Sequence, residues 1–365
     1  MARQDPIVLR DSRPGPKTAD NALPRTRQMN PLPPPQGGLT SQGTIKVSEP
    51  SISFIVPCRN GEPSIRQCLQ SLQDLRRNGD EIIVVDNGST DETFRIAAAA
   101  EDIVVFESDA TTVAGVRNDG ARRARGDWLA FVDCDTVLAK DWRTHLERVF
   151  RHNAVVATGS GPHLPPNPRW LEKAWLCGWG DRSGPAEYVW SGNLIVRAEA
   201  FQTLNGFSED LETDEDTDFC WRVREIFGEQ ALVHAPQMKA VHLGNSKTLK
   251  QFWSRQYWHA AGMLASARKH GLDKALAMTT AFAFLNLFGL GWFLSSPNPL
   301  GGITLAGSIL LVPGLTALYR MRALECIRWG PQLVLLYTLF YYARLARASR
   351  DSVVRLLRLQ EIRGR

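Results

Sequence analysis

Two uncharged stretches near the C-terminal end constrain this chain more than any other feature. Ala275 to Ser296 carries no formal charge, and a second uncharged run extends from Leu300 to Tyr319, with Pro297-Asn298-Pro299 between them. At about 1.5 Å of rise per residue, each run matches a hydrocarbon core about 30 Å thick. Two such helices joined by a tight breaker predict a membrane hairpin, the alternative being a buried helix pair in a water-soluble fold. Arg268, Lys269 and Lys274 precede the first run, and Arg320, Arg322 and Arg328 follow the second, so both ends are expected on the cytoplasmic side. A third apolar stretch, Pro331 to Tyr342, is short for a crossing and is expected as an interfacial or re-entrant helix. The tail beyond it sets Arg344, Arg347, Arg350, Arg355, Arg358, Arg363 and Arg365 against only Asp351 and Glu361. With Val353, Val354 and Leu357 at helical spacing, it reads as a basic amphipathic helix on anionic lipid.

The rest of the chain is long enough for one domain of ordinary size, with 44% hydrophobic and 22% charged residues overall. Residues 1–50 are rich in Pro, Gly, Arg and Gln, lack a hydrophobic period and are expected as a disordered arm. The N-terminal sequence has no apolar segment of secretory-signal length, so export is not expected. The formal charge of +5 is mild and concentrated in the tail, and no zinc-finger spacing occurs. That pattern favours membrane lipids and excludes a nucleic-acid partner. The six cysteines form no C-x-x-C pair, which predicts buried, reduced thiols in a cytosolic setting rather than a zinc site or disulfide framework.

Between Ile52 and Val132, strand-like and helix-like segments alternate. SISFIV reads as a strand that Pro57 ends, and Ile65, Leu69, Leu72 and Leu75 fall at helical spacing after it. A strand from Glu81 to Val85 runs into Asp86, and a helix follows in TDETFRIAAAA. Next come a strand at Ile103 to Phe106, a helix at Val113 to Arg125, and a strand at Trp128 to Val132 that delivers Asp133. This alternation predicts a mostly parallel sheet covered by helices on both faces. After Asp141 the pattern loosens into a Pro-, Gly- and Trp-rich stretch holding Trp170, Trp175, Trp179 and Trp190, too long for a plain connection. Its indoles are expected in the core, against a sugar ring or on a membrane surface. Regular structure resumes with a strand at Gly192 to Val196 and a helix beginning near Asp216.

Three acidic clusters punctuate this pattern: Asp86, the pair Asp133 and Asp135, and the run Glu215-Asp216-Thr217-Asp218. The first two sit at strand ends, where an open α/β sheet binds its ligand. Carboxylates there suit a metal-bound, phosphate-rich substrate. Neither G-x-G-x-x-G nor a P-loop is present, so the phosphates are expected to be held by metal.

The ordered set IVPCRN, VVDNGSTDET, GVRNDGARRARGDWLAFVDCD, SGNLIVRAEAFQTLNGF and TDEDTDFCWRVRE, between about Ile52 and Gly262, resembles the family-2 glycosyltransferases. The resemblance implies the α/β glycosyltransferase-A fold, a Rossmann-like nucleotide-diphospho-sugar transferase sheet, over residues 51–262. A connecting helix and the transmembrane hairpin would occupy 263–319, and the interfacial or re-entrant helix with the basic tail 320–365. It also implies inverting transfer from a nucleotide-sugar donor, with UDP-sugars first, to a lipid-linked or saccharide acceptor. The setting it implies is the cytoplasmic face of a bacterial inner membrane, with Mg²⁺ or Mn²⁺ as cofactor.

Residue by residue, the resemblance makes Asp86 the partner of the nucleotide base, with Pro57, Arg59 and Glu62 shaping that pocket; a turn-forming role beside Asn87-Gly88 is the other reading of Asp86. Asp133 and Asp135 match the metal and donor motif, Asp135 as the direct ligand. Gly192 and Asn193 match the loop beneath the donor sugar. Asp216 matches the general base, with Glu215 and Asp218 crowding it so as to raise its proton affinity, while helix N-terminal stabilisation alone would explain at least one of the three. His242 matches a histidine that completes the metal site in part of the family, against a purely structural role. Arg255, in KQFWSRQYWHAAG, is placed to pair with the diphosphate. That element departs from the Q-x-x-R-W of processive synthases, which argues against a polymerase. Two alternatives stand beside this reading: FVDCDTVL also fits a haloacid-dehalogenase-like phosphatase with Asp133 as nucleophile, and the chain could be a catalytically inactive scaffold in polysaccharide assembly.

Overall fold

The structure, a computed structural model, describes residues 8–9, 49–271 and 274–363. In chain order the strands are β1 (Val8–Leu9), β2 (Ile52–Cys58), β3 (Glu81–Asp86), β4 (Ile103–Glu107), β5 (Trp128–Val132), β6 (Thr136–Leu138), β7 (Ala157–Gly159), β8 (Pro162–His163), β9 (Gly184–Pro185), β10 (Asn193–Arg197), β11 (Leu232–His234) and β12 (Ala240–His242). The helices are α1 (Ile65–Leu75), α2 (Thr93–Ala98), α3 (Val113–Arg123), α4 (Trp142–Phe150), α5 (Trp170–Leu176), α6 (Ala198–Thr203), α7 (Glu215–Phe227), α8 (Leu249–His259), α9 (Met263–His270), α10 (Lys274–Ser295), α11 (Pro299–Arg320) and α12 (Gly330–Arg363).

Among the described residues, nine strands form one mixed sheet in the order β1-β4-β3-β2-β5-β10-β7-β11-β9. The strands β2, β3, β4 and β5 run parallel, because helical crossovers return the chain each time to the same edge. β10 then inserts antiparallel between β5 and β7. Successive strand residues are buried on both faces: Ile55, Val85 and Phe131 meet Phe201 and Phe219 on one side, while Phe54, Val56 and Val84 meet Leu69 and Trp142 on the other. Such near-continuous apolar strands are what a sheet covered on both faces requires.

Two expectations change here. Pro57 does not end β2, which pairs with β3 through Cys58. Pairing of β2 with β5 stops at Ile55, so the missing N–H of Pro57 deprives no neighbour of a bond. Within the N-terminal arm, Val8–Leu9 adds a parallel edge strand beside β4; the remainder of the disordered-arm expectation, residues 1–7 and 10–48, lies outside the described residues.

The C-terminal part is a packed helical unit. Its helices α10 and α11 are long and apolar enough to cross a membrane. Phe284, Leu287 and Leu294 are 69%, 67% and 70% exposed, which a helix pair buried in a soluble core would not allow. The turn between them is set by Asn298, whose Oδ1 accepts from the Gly301 amide at 2.9 Å, with Pro299 in the first helical turn. The third apolar stretch and the basic tail are one continuous helix of 34 residues, α12, with no re-entrant turn. No Gly or Pro occurs between Pro331 and Arg363, so nothing breaks the helix between its apolar and basic halves. Its apolar half packs on protein: Leu336 joins Leu171, Ala174 and Phe252 in a cluster that ties α12 to α5 and α8.

A further correction concerns the cysteines. Cys177 and Cys326 are joined in a disulfide across 149 residues, linking the end of α5 to the segment after α11. Arg320 reinforces that junction, donating to the Trp175 carbonyl at 2.8 Å and the Cys177 carbonyl at 2.7 Å. Cys58, Cys68, Cys134 and Cys220 are free thiols, as expected.

Candidate active site

A cleft of about 890 Å³ opens at the carboxyl ends of β2 and β5, lined among others by Pro57, Arg59, Asp133, Asp135 and Asp216. Its three acidic elements arrive by different routes. Asp133 follows the last residue of β5. Asp135 precedes β6, the first strand of a second, three-stranded sheet ordered β6-β12-β8. The register of that sheet sets His242 opposite Thr136, which brings its Nε2 to 3.3 Å from Asp135 Oδ2. The ring is oriented by Asn245 Oδ1, 2.7 Å from Nδ1. Gly244 is required beside them, because a Cβ there would lie 1.8 Å from Asp135 Oδ2.

The third element is the start of α7. Asp214 adopts a left-handed conformation, φ 68°, and turns the chain so that Glu215, Asp216 and Asp218 all fall in the first helical turn. Since successive helical residues are rotated by about 100°, the three carboxylates take different surroundings. Glu215 is 5% exposed and accepts from Arg117 Nη1 at 2.6 Å. Asp216 faces the cleft, where its Oδ2 accepts from the Tyr188 hydroxyl at 2.9 Å and the Ser191 amide at 3.2 Å.

Arg117 closes the arrangement from α3. It is 3% exposed and also donates through Nη2 to Asp133 Oδ1 at 2.8 Å. Burial alone would weaken its charge, but Asp133, then Glu215 and Asp216, hold its pKa above the ordinary arginine value. Burial, then the neighbouring Asp216, pushes Glu215 up to about 7 against the pull of Arg117. On the other wall, burial works against the negative charge of Asp135, yet the bond from His242 brings its pKa below the usual carboxylate range. His242 is lifted in return: burial lowers it, and the Asp135 carboxylate more than offsets that. His259 is pulled down to about 4 by burial and then by Arg255, so it is neutral at physiological pH.

Residues 53–227 match the family model described as glycosyl transferase family 2. Over these residues the chain carries a family 2 glycosyltransferase domain. Over 197 residues the chain is 26% identical to the pre-mycofactocin glycosyltransferase of Mycobacterium tuberculosis, covering 49% of this chain and 40% of that protein. Over 173 residues it is 27% identical to the poly-beta-1,6-N-acetyl-D-glucosamine synthase of Staphylococcus aureus, covering 46% and 39%. The aligned part of the chain thus spans about two fifths of the length of these relatives. In fold it is similar to a mannosyltransferase of Pyrobaculum calidifontis solved in complex with GDP-Man and Mn²⁺, with TM-score 0.52, 18% identity and coverage of 82% and 88%.

Within this glycosyltransferase domain, the residues expected from the sequence divide. Pro57, Arg59, Asp133, Asp135, Glu215, Asp216, His242 and Arg255 all line the cleft. Asp86, 2% exposed, closes β3 behind it; its Oδ2 accepts from the Ser89 amide at 3.0 Å, and its Oδ1 is buried without a hydrogen-bond partner among the described residues. Gly192 lies against Asp133, where a Cβ would come within 2.7 Å of Oδ2 and 2.1 Å of the Trp190 ring.

Three expectations give way. Asn193 points into the core, bonded to Ser160, the Met238 carbonyl and Trp142, because the first residue of β10 turns its side chain away from the cleft. Glu62 lies outside the cleft lining and instead accepts from the Glu92 amide at 3.3 Å, tying α1 to the loop before α2. Asp218 does not crowd Asp216: it is held by Ser208, Arg222 and His270, which bring its pKa below the usual range against the effect of burial. Sequence reading missed Arg117, Tyr188 and His259. Arg117 stands among Arg122, Arg123 and Arg125 on one segment, with nothing local to mark it as the buried one.

Proposed function

We propose that this chain is a membrane-anchored, divalent-metal-dependent inverting glycosyltransferase. It moves a sugar from a nucleoside-diphosphate donor, in the first place a UDP-sugar, to a lipid-linked or envelope-polysaccharide acceptor. The observation that carries this reading is Asp216, a carboxylate facing the cleft and held by Tyr188 and the Ser191 amide across from the Asp135–His242 pair. Asp216 takes the proton of an acceptor hydroxyl as that oxygen bonds the anomeric carbon. The bond to the diphosphate oxygen breaks on the opposite side, which inverts the configuration.

Asp135 and His242 are the residues that would hold the cation, since a carboxylate beside an imidazole is a donor pair that divalent ions accept. Mg²⁺ or Mn²⁺ so held would neutralise charge on the leaving diphosphate. Asp133 has its Oδ1 bonded to Arg117, and no ready group of three ligands occurs among the described residues. Arg255, lining the cleft beside Asp135, supplies a second positive charge. The unpaired Oδ1 of Asp86 suits the imide N–H of uracil. The Pyrobaculum neighbour was solved with GDP-Man, so GDP-sugars belong in the same screen.

The helices α10 and α11, long and apolar enough to cross a membrane, support the anchor, and the cations flanking them support a catalytic domain on the cytoplasmic side. The phosphatase alternative has less support, since Asp133 falls within the residues matched to glycosyl transferase family 2 and its Oδ1 is held by Arg117. The test is a panel of UDP- and GDP-sugars given to the full-length protein in detergent or vesicles, with released nucleoside diphosphate as readout. Release from one donor, stopped by a chelator and restored by Mn²⁺ or Mg²⁺, is expected. Silence with every donor would return the chain to the inactive-scaffold reading.

A further inference from the structure

A second cavity, of about 410 Å³, lies behind the cleft, between the catalytic domain and the C-terminal helices. The two spaces share Tyr188, Trp190, Thr217, His242, Arg255 and His259, so they meet beside Asp216. The cavity's outer wall is aromatic. Trp175 from α5 packs edge-on to Phe252 of α8 at 4.8 Å between ring centroids, and lies 5.4 Å from Tyr337 and 5.9 Å from Phe340 on α12. Tyr337, Phe340 and Arg344 are spaced three and four apart, so one face of α12 forms this wall.

Two residues lining this aromatic space carry buried polar atoms without a hydrogen-bond partner among the described residues. Glu172 is 2% exposed; its Oε2 accepts from the Arg169 amide at 2.8 Å and caps α5, but its Oε1 has no hydrogen bond. Trp179 has an unpartnered indole Nε1. The guanidinium groups of Arg182 and Arg320 lie 4.8 and 5.1 Å from its ring, which leaves the N–H edge as its polar offering. An orphan carboxylate oxygen is costly unless a ligand or water satisfies it.

We infer that this cavity is the acceptor subsite and that it takes a sugar ring. The acceptor is then already glycosylated, and its terminal saccharide reaches Asp216 through the shared opening. The chemistry is specific to that class. A pyranose offers apolar C–H faces to aromatic walls and hydroxyls that both donate and accept, matching one unpaired acceptor, Glu172 Oε1, and one unpaired donor, Trp179 Nε1. A bare hydrocarbon alcohol would leave both unsatisfied. Because α12 supplies one wall, a sugar carried on a membrane lipid has a direct approach from the hairpin side. This inference rests on the transferase reading and narrows its acceptor.

The experiment uses the full-length protein with its active donor, octyl glucoside, octyl galactoside and octyl mannoside as acceptor probes, and 1-octanol as the sugar-free control. Mass spectrometry of the products is the readout. Transfer to at least one glycoside and none to octanol is expected. In Glu172→Gln the amide oxygen keeps the cap on α5 while an NH₂ group replaces the unpaired oxygen. The KM for the glycoside should then rise about 10-fold or more, while kcat and the KM for donor move far less. Trp179→Phe, which removes the indole N–H and leaves a smaller aromatic ring in its place, should raise the same KM by a smaller factor and serves if the first variant folds poorly. Equal transfer to octanol, donor hydrolysis with no transfer to any glycoside, or an unchanged glycoside KM in both variants would overturn the subsite. If no donor releases its diphosphate at all, it is the transferase reading itself that has failed.

Discussion

The two walls of the cleft end in carboxylates only two residues apart, yet they are built on opposite principles. On one wall Asp133 is locked with Glu215 to the buried Arg117, a triad in which one guanidinium serves two acids. On the other, Asp135 stands on a small separate sheet, answered by a histidine whose charge depends on that same contact. A buried triad of this kind costs much desolvation and contributes little net stability, so its use is to fix geometry. The opposite wall leaves Asp135 and His242 partly exposed to the cleft, where they can exchange partners. One Asp-x-Asp thus supplies a carboxylate bonded to a buried arginine and another bonded to a histidine, both lining the cleft.

Asp216, set between the walls, gives the largest expected effect. Asp216→Asn retains the bonds from Tyr188 and Ser191 but not the proton acceptor, so transfer should fall by roughly 10²–10⁴ with donor affinity little changed. Normal transfer in this variant would show that the chemistry belongs to one of the walls instead. Next comes the strut: Arg117→Met strands the buried Glu215 and takes a partner from the half-buried Asp133, and should lower stability by about 3 kcal/mol in denaturant or thermal melts. A variant as stable as the parent would mean that Asp133 and Glu215 do not depend on Arg117, and the contrast between the walls would collapse. Asp135→Ala should do the reverse, costing about 10²–10³ in turnover and abolishing the metal response with little change in the melt. Chelator-insensitive turnover in the parent enzyme would remove the metal from that wall.

The same contrast explains what the sequence could convey. Apolar runs ending in Asp86 and Asp133 marked the sheet and its ligand edge, because burial on both faces writes a continuous apolar signal. That Asp135 and Asp216 come together at the cleft was legible because the family's order of motifs labels them. Asn193 belongs to an equally recognisable motif, but its side chain direction depends on where β10 begins, and it faces Trp142 in the core. Asp218 shares a helical turn with Asp216, and only the three-dimensional positions of Arg222 and His270 show that it serves the interior. Arg117 is invisible locally, since its two partners lie 16 and 98 residues away. The link between Cys177 and Cys326 is equally non-local, depending on how α5 docks against the helices that follow it.

The smallest expected effect tests the strut through its pH dependence. Glu215 titrates at about 7 in the folded protein against the 4.5 of an ordinary glutamate, so its folded pKa is the raised one. The folded state therefore holds this proton more tightly than the unfolded chain, and the associated stability is present below pH 4.5 and lost as pH rises through 7. Each tenfold change in proton affinity is worth about 1.4 kcal/mol, so the loss is on the order of 3 kcal/mol at most. Asp218, whose pKa is lowered, acts with the opposite sign and only below the ordinary carboxylate range, so the two windows do not overlap. Glu215→Gln mimics the protonated acid and should flatten the stability profile between about pH 4.5 and 7.5 relative to the parent. Parallel profiles for parent and variant across that window would mean that Glu215 is ionised throughout and that Arg117 carries two full negative charges rather than sharing one proton-bearing partner.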